Sequence, residues 1–354
     1  MKRIALIAGA AAVALAAAAY AATLFPAVDV WLYRRMAEHA MDAPDPVLAG
    51  PGELSVLLVG TGSPLPDTAR AGPSTLIAAG GDLYLVDAGL DCMRNLALWH
   101  VPLDRIRGVF ITHMHSDHIG ELGEVQLQTW VAGRRTPLKV YGPPGIERVV
   151  AGFNEAYALD DGYRTAHHGA AFLPPSAAGM VAVPLRPDAV ALDADGLKVT
   201  AITVDHGPVK PAYGYRFDYG GRSVTVSGDT SRDENLARAA RGTDVLVHEA
   251  LSPELVAILG DAAAKAGRWR AAKIMHDIPG YHTSPVDAAR IANEAGAKLL
   301  VYTHLLPVLP NAIAERAFLR GVRDVRPDGV LLGHDGTLIR LPAHSAEMEQ
   351  SSLQ

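Results

Sequence analysis

The densest chemistry in this 354-residue chain lies in seven residues, Thr112-His113-Met114-His115-Ser116-Asp117-His118. Imidazole and carboxylate are the donors expected around zinc and related divalent ions. In an extended segment alternate side chains point the same way. His113 and His115 can therefore converge on one ion while Asp117 and His118, on the turn that follows, face a second. One histidine among 14 is ordinarily a surface or core residue, but three histidines and an aspartate at this spacing are hard to explain by composition. Further donors stand in three short strings downstream, Val204-Asp205-His206-Gly207, Ser227-Gly228-Asp229-Thr230 and Tyr302-Thr303-His304. Taken singly, His248 in His248-Glu249-Ala250 and His282 in His282-Thr283-Ser284 could each be a satisfied structural histidine.

Donors so far apart in sequence need strand ends to bring them together. The runs Ser55–Val59, Thr75–Ala78, Leu83–Val86 and Val109–Thr112 are apolar or β-branched and bounded by turn residues, which predicts strands. A helix is predicted over Glu121–Val131. Further strands are expected at Leu138–Tyr141, Leu197–Val204, Tyr213–Phe217 and Ser223–Val226. The last third alternates helix and strand: Glu234–Ala240, Val245–Val247, helices opening at Pro253 and Pro285, Leu299–Tyr302, and Thr337–Arg340. Strand blocks alternating with outer helices imply an α/β fold with two mixed sheets inside. The metal-type loop then follows the strand Val109-Phe110-Ile111 and precedes a helix.

These motifs resemble the metallo-β-lactamase superfamily, whose His-x-His-x-Asp-His signature is matched by His113 to His118. The likeness runs over about residues 53–341 and implies an αββα sandwich of two mixed β-sheets. Leu85-Val86-Asp87-Ala88-Gly89 matches the family's early aspartate motif. The resemblance implies that His113, His115 and His206 hold one divalent ion and Asp117, His118 and His304 a second, with Asp229 between them. Zinc suits that set, and manganese or iron fits it too. Asp87 and backbone carbonyls are expected to accept from the outer ring nitrogens of the ligand histidines.

Within the superfamily, Gly60-Thr61-Gly62-Ser63-Pro64, Val140-Tyr141-Gly142-Pro143 and Tyr213-Gly214-Tyr215-Arg216 resemble the branch of ribonuclease Z and the zinc-dependent arylsulfatases. In that branch the His282 position is the proton donor to the leaving oxygen, supported by the His248-Glu249 loop. Asp117 would also orient the attacking water. The implied reaction is hydrolysis of a phosphodiester or sulfate ester, with ribonuclease Z-type tRNA processing or lactone/thioester hydrolysis as alternatives. A scaffold with a dead site is disfavoured, because burying clustered histidines and carboxylates without use has no physical reason. One departure is informative. The tRNA-processing enzymes carry a long RNA-gripping arm between the Gly-Tyr-Arg and Ser-Gly-Asp-Thr motifs, where this chain has only a hairpin between Arg216 and Ser227. The segment Pro253 to His282, with Trp269 between Arg268 and Arg270, is an insertion that is either a lid over the site or a solvated surface helix.

Composition narrows the partners. Lys+Arg 32 against Asp+Glu 38 gives a net charge of −6 with no basic run, so nucleic acid is disfavoured and a small or medium ester is expected. One cysteine, Cys92, excludes an intrachain disulfide framework and a cysteine zinc cluster. Residues 1–30 open with Lys2-Arg3 and a charge-free run from Ile4 to Phe25, which predicts a signal peptide or an N-terminal membrane anchor and an exported catalytic part. Residues 31–52 read as a linker, 53–341 as the hydrolase domain and 342–354 as a flexible tail. Homodimerisation is an expectation from the resemblance alone.

Overall fold

In the computed structural model, residues 25–42 and 44–353 are described, together with residues 9, 12–17, 20, 21 and 23. Half of the expected signal or anchor run, Ile4 to Phe25, falls outside the described residues. Among the described residues no helix is long and apolar enough to cross a membrane. The chain divides into two units, Met1–Pro46 and Val47–Gln354. In the first, Pro26–Met41 is a helix with proline at its first turn, where a missing N–H is harmless. The expectation of a linker from residue 31 is thus corrected for Trp31–Met41. The second unit starts at Val47 rather than Glu53, because Leu48 is buried against the core beneath it.

Fifteen strands, numbered in chain order, are described. They form an eight-stranded sheet in the order β15-β14-β1-β2-β3-β4-β5-β6, with β2 at Ser74–Ala79, and a seven-stranded sheet in the order β13-β12-β11-β10-β9-β8-β7, with β7 at Val190–Ala194. In the first sheet, β3 (Asp82–Val86), β4 (Ile106–Phe110), β5 (Leu138–Gly142) and β6 (Met180–Pro184) run parallel. In the second, β10 (Arg222–Val226), β11 (Val245–Leu251), β12 (Leu299–Leu306) and β13 (Val330–Leu332) run parallel. There β8 (Leu197–His206) is antiparallel to β9 (Val209–Tyr219), which is antiparallel to β10. Consequently β8 ends at the same sheet edge as β10, β11 and β12.

Alternation along each strand explains the layers. Val245 and Val247 of β11 and Leu299 and Val301 of β12 face the core between the sheets, while Leu246, Leu300 and Tyr302 face the helices outside. In β1 (Leu54–Gly60), Leu54, Val56 and Leu58 point inward, and Leu57 and Val59 pack outward with Leu96, Leu122 and Val125. The result is an αββα sandwich with two mixed sheets, as the sequence patterning implies. Phe110 locks the layers under the histidine loop: its ring stacks on Tyr141 at 4.6 Å and meets Tyr215 and Phe217 edge-on at 5.3 and 5.4 Å.

The tail departs from expectation. Glu349–Ser352 is β15, pairing antiparallel with β14 (Thr337–Leu341). Backbone ladder bonds to an open sheet edge order this polar segment without apolar residues, aided by the Arg340–Glu349 ion pair at 2.7 Å. Cys92 is buried, as a small core residue would be.

Candidate metal centre and active site

Every expected ligand lies at or near a strand end on one edge of the sandwich. The loop carrying His113, His115, Asp117 and His118 follows β4, His206 closes β8, Asp229 follows β10, and His304 lies within β12. Local backbone chemistry fixes each one. Gly228 adopts φ +61, and a Cβ there would sit 2.4 Å from the Tyr213 carbonyl oxygen, so only glycine lets Asp229 approach. At His304 the pairing of β11 with β12 slips by one residue, and the histidine takes φ 45. Such a bulge re-aims a side chain out of the pleat.

The donor atoms converge. His113, His115, His206 and Asp229 each place one donor within 4.8 Å of the others, as do Asp117, His118 and His304. A single oxygen, Oδ2 of Asp229, lies 3.3 Å from Nε2 of His118 and of His304, and 3.9 Å from Nε2 of His113 and of His206. It therefore faces ring nitrogens of both triads. Asp117 Oδ2 lies 3.4 and 3.5 Å from the same atoms of His118 and His304. Tetrahedral donors at the ~2.0–2.1 Å typical of zinc stand about 3.3–3.4 Å apart, so the second group has the spacing of ligands around one ion. Nε2 of His118 and both ring nitrogens of His304 are buried without a hydrogen-bond partner. Unpartnered buried imidazole nitrogens beside carboxylates fit a divalent ion as their missing partner.

Supporting groups hold the rings. Asp87 accepts from the Thr112 amide and hydroxyl, both at 2.8 Å, and lies 2.8 Å from His118 Nδ1, leaving Nε2 for the cluster. The Thr112 hydroxyl is 3.0 Å from His113 Nδ1, and the Tyr281 carbonyl is 3.0 Å from His206 Nδ1. Burial lowers the pKa of His113, His115 and His206, keeping them neutral as ligands must be. Burial works to raise Asp229 and Asp117, but His304 and His118 outweigh it and hold both well below the usual carboxylate range. His118 goes the other way: burial opposes its charge, but the Asp229 and Asp87 carboxylates outweigh it and raise its pKa.

His282 stands at the rim, its ring 5.2 Å from that of His206 and 5.5 Å from that of His304. Its Nδ1 is 3.1 Å from Oε1 of Glu249, which also accepts from the amides of Thr283 at 3.0 Å and Thr230 at 3.2 Å. Burial lowers the His282 pKa, but the Glu249 carboxylate more than offsets it and pushes it up to about 9. His248 is not brought to the site. It is buried, its Nδ1 lies 2.7 Å from the Glu249 carbonyl, and it does not line the cavity beside the cluster. Side chains alternate across a strand, so with Glu249 facing the cluster its neighbour His248 faces away.

The sequence did not single out Thr112, Thr230 or Tyr281. The first two act through ordinary hydroxyl and amide groups and the third through its carbonyl, none of which leaves a residue-type signal.

The model of the "Beta-lactamase superfamily domain" matches residues 83–305. The chain belongs to the β-lactamase superfamily. A "Ribonuclease Z" of Mycobacterium bovis (strain BCG / Pasteur 1173P2) is 39% identical over 259 residues, 72% of this chain and 87% of the relative. Among solved structures, the metallo-beta-lactamase fold protein YhfI from Bacillus subtilis gives a TM-score of 0.58 at 21% identity, covering 82% of this chain and 100% of that one. The short form of human tRNase Z gives 0.57 at 22%, covering 81% and 99%. These last two establish the fold. With its superfamily, its relatives and its donor cluster, the chain is a metal-dependent hydrolase of ester bonds. The relatives' name weighs for the ribonuclease Z alternative and gives nothing to the sulfate-ester reading. It also runs against the expectation that nucleic acid is disfavoured.

Proposed function

We propose that this chain is a binuclear metal-dependent phosphodiesterase related to ribonuclease Z and acting on small diesters. The observation that carries the reading is the single Asp229 oxygen shared by two histidine groups, with the His282–Glu249 pair at their rim. His113, His115 and His206 would hold one ion, Asp117, His118 and His304 the other, with Asp229 common to both. Bound there, two divalent ions supply an activated water near neutral pH and Lewis-acid stabilisation of the charge developing on phosphoryl oxygens. Zinc is the ion we expect on this nitrogen and oxygen set.

The chain's own groups do the rest. Asp117 orients the attacking water. His282, held protonated by Glu249, donates to the departing alcohol oxygen. The water oxygen would form the new bond to phosphorus as the bond to the alcohol oxygen breaks, the alcohol taking the His282 proton; one water proton restores His282 and the other stays on the phosphate. His248 acts only by fixing the Glu249 carbonyl.

Pre-tRNA is the substrate the relatives' name suggests. Against a gripped RNA, β9 and β10 are joined by Gly220-Gly221 alone, both with positive φ as a two-residue hairpin turn needs. The net charge of −6 points the same way. A small diester is therefore our reading. The charge-free run after Lys2-Arg3 supports export of the catalytic unit, and cell fractionation that finds all of the protein in cytosol would end that part of the proposal. To test the function, metal content is counted on purified protein and bis-aryl phosphodiester, aryl sulfate and pre-tRNA are assayed side by side. About two ions per chain with chelator-sensitive diester hydrolysis is the expected result. Sulfate hydrolysis exceeding diester hydrolysis would overturn it.

A further inference from the structure

We infer that the helix Trp269–Asp277 and the turn after it form a leaving-group subsite for an apolar alcohol, so that the substrates are diesters carrying an aryl or alkyl-aryl group on the His282 side. This rests on the phosphodiesterase reading and names its substrate class. A cavity of about 100 Å³ opens beside the ligand cluster. His115, Asp117, Asp229, His282 and His304 contribute to it from the metal side. The rest of its lining comes from Leu65, Ile274, Met275, Ile278, Leu306 and Tyr281, together with a proline. No lysine, arginine, amide or aliphatic hydroxyl lies among the lining residues.

The helix is built for this orientation. Ala272 and Met275, one turn apart, and Ile278 in the turn that follows are buried, with Ile274 beside Met275, while Arg270, Lys273 and Asp277 are exposed, Lys273 and Asp277 paired at 2.8 Å. Met275 and Ile278 are buried with Leu251, Val256 and Leu306, which anchors the segment. Ile274 is different. It lines the cavity and is still 54% exposed, so packing within the fold leaves an apolar surface open at the mouth of the site. Continuing phosphate groups of a polynucleotide would seek cations in the cavity, and no lysine or arginine lines it. An aromatic or alkyl group gains there from the removal of apolar surface from water.

The experiment uses methyl 4-alkylphenyl phosphodiesters, in which the alkyl group grows while the acidity of the phenol barely changes. Full-length, metal-loaded protein should gain about fourfold in kcat/KM per added methylene until the cavity fills. Ile274→Ser should flatten that rise. Ile258→Ser, at an exposed position of the preceding helix that does not line the cavity, should leave the rise intact. Binding of the free 4-alkylphenols followed by calorimetry, strengthening with alkyl length and weakened by Ile274→Ser, gives a readout separate from turnover. Hydrolysis of all aryl diesters at one rate regardless of alkyl length, or a pre-tRNA preferred over them, would overturn the subsite while leaving the phosphodiesterase standing. No hydrolysis of any diester by protein holding two ions would remove the phosphodiesterase reading itself.

Discussion

The two walls of the active-site cavity are built on opposite plans. On the side of the candidate metal centre the donors lie at or near strand ends, most are buried, and three of the rings are held by a second group: His118 by Asp87, His113 by Thr112 and His206 by the Tyr281 carbonyl. On the other side a short helix presents side chains that need only be apolar, and its outer residues Trp269 and Ile274 are 66% and 54% exposed. Chemistry demands particular donor atoms at particular distances, and that demand spreads into supporting residues. Specificity for an apolar group demands only area and shape, which many sequences provide. Substitutions on the first wall should therefore be severe and reach metal content, whereas those on the second should be mild and confined to substrate choice.

Asp229→Ala tests the severe end. It removes the one oxygen facing both groups of ring nitrogens, so bound metal should fall below two per chain and turnover by at least about 10³-fold. His115→Ala should behave alike, and retained stoichiometry by metal analysis would break the assignment. Glu249→Gln should be next, lowering kcat about 10²-fold with metal content unchanged. Its sign with pH follows from His282. The donating form is protonated, so activity falls as pH rises through a limb at or below about 9, since bound cations would pull that value down. Without the Glu249 charge the largest raising cause is gone, and the limb should move to lower pH. A pH–rate profile whose basic limb stays in place would remove His282 as the donor. Asp87→Asn should act one step further out, weakening metal affinity about 10–100-fold by loosening His118 and Thr112.

The same contrast decides what was legible in the sequence. His113 to His118, His206, Asp229 and His304 could be named as candidates because ligation restricts residue type and the turns around them restrict spacing, and the structure brings their donors together. The strands were legible because residues such as Val245-Leu246-Val247 are apolar on both faces, as layers covered on both sides require. His248 misled because a histidine next to Glu249 reads as part of the same machinery, while the strand pleat turns it to the other face. The tail misled because β15 is ordered by backbone pairing, which leaves no apolar pattern. Residues 31–41 misled because charged and aromatic residues without an apolar face read as linker, yet helix needs no buried face to form locally. Tyr281 escaped because it works through a carbonyl that every residue has.

A pair of tryptophans gives the finest measure of the contrast. Trp130 is 1% exposed, packs with Leu127, Leu173 and Ala177, and donates from its indole to the Pro174 carbonyl at 3.1 Å. Trp130→Ala should destabilise the fold by about 3–5 kcal/mol, since it leaves a cavity in a closed core. Trp269 begins the helix of the apolar wall, 66% exposed, with the Arg270 guanidinium 4.9 Å from its ring centre. A cation over an exposed ring contributes only about 0.5–1 kcal/mol, so Trp269→Ala should lower stability by less than about 1 kcal/mol in a urea titration. The metal cluster should be untouched. A loss as large as that at Trp130 would mean that another surface covers this helix in solution, and the wall would then be a protein interface rather than the open mouth of a substrate site.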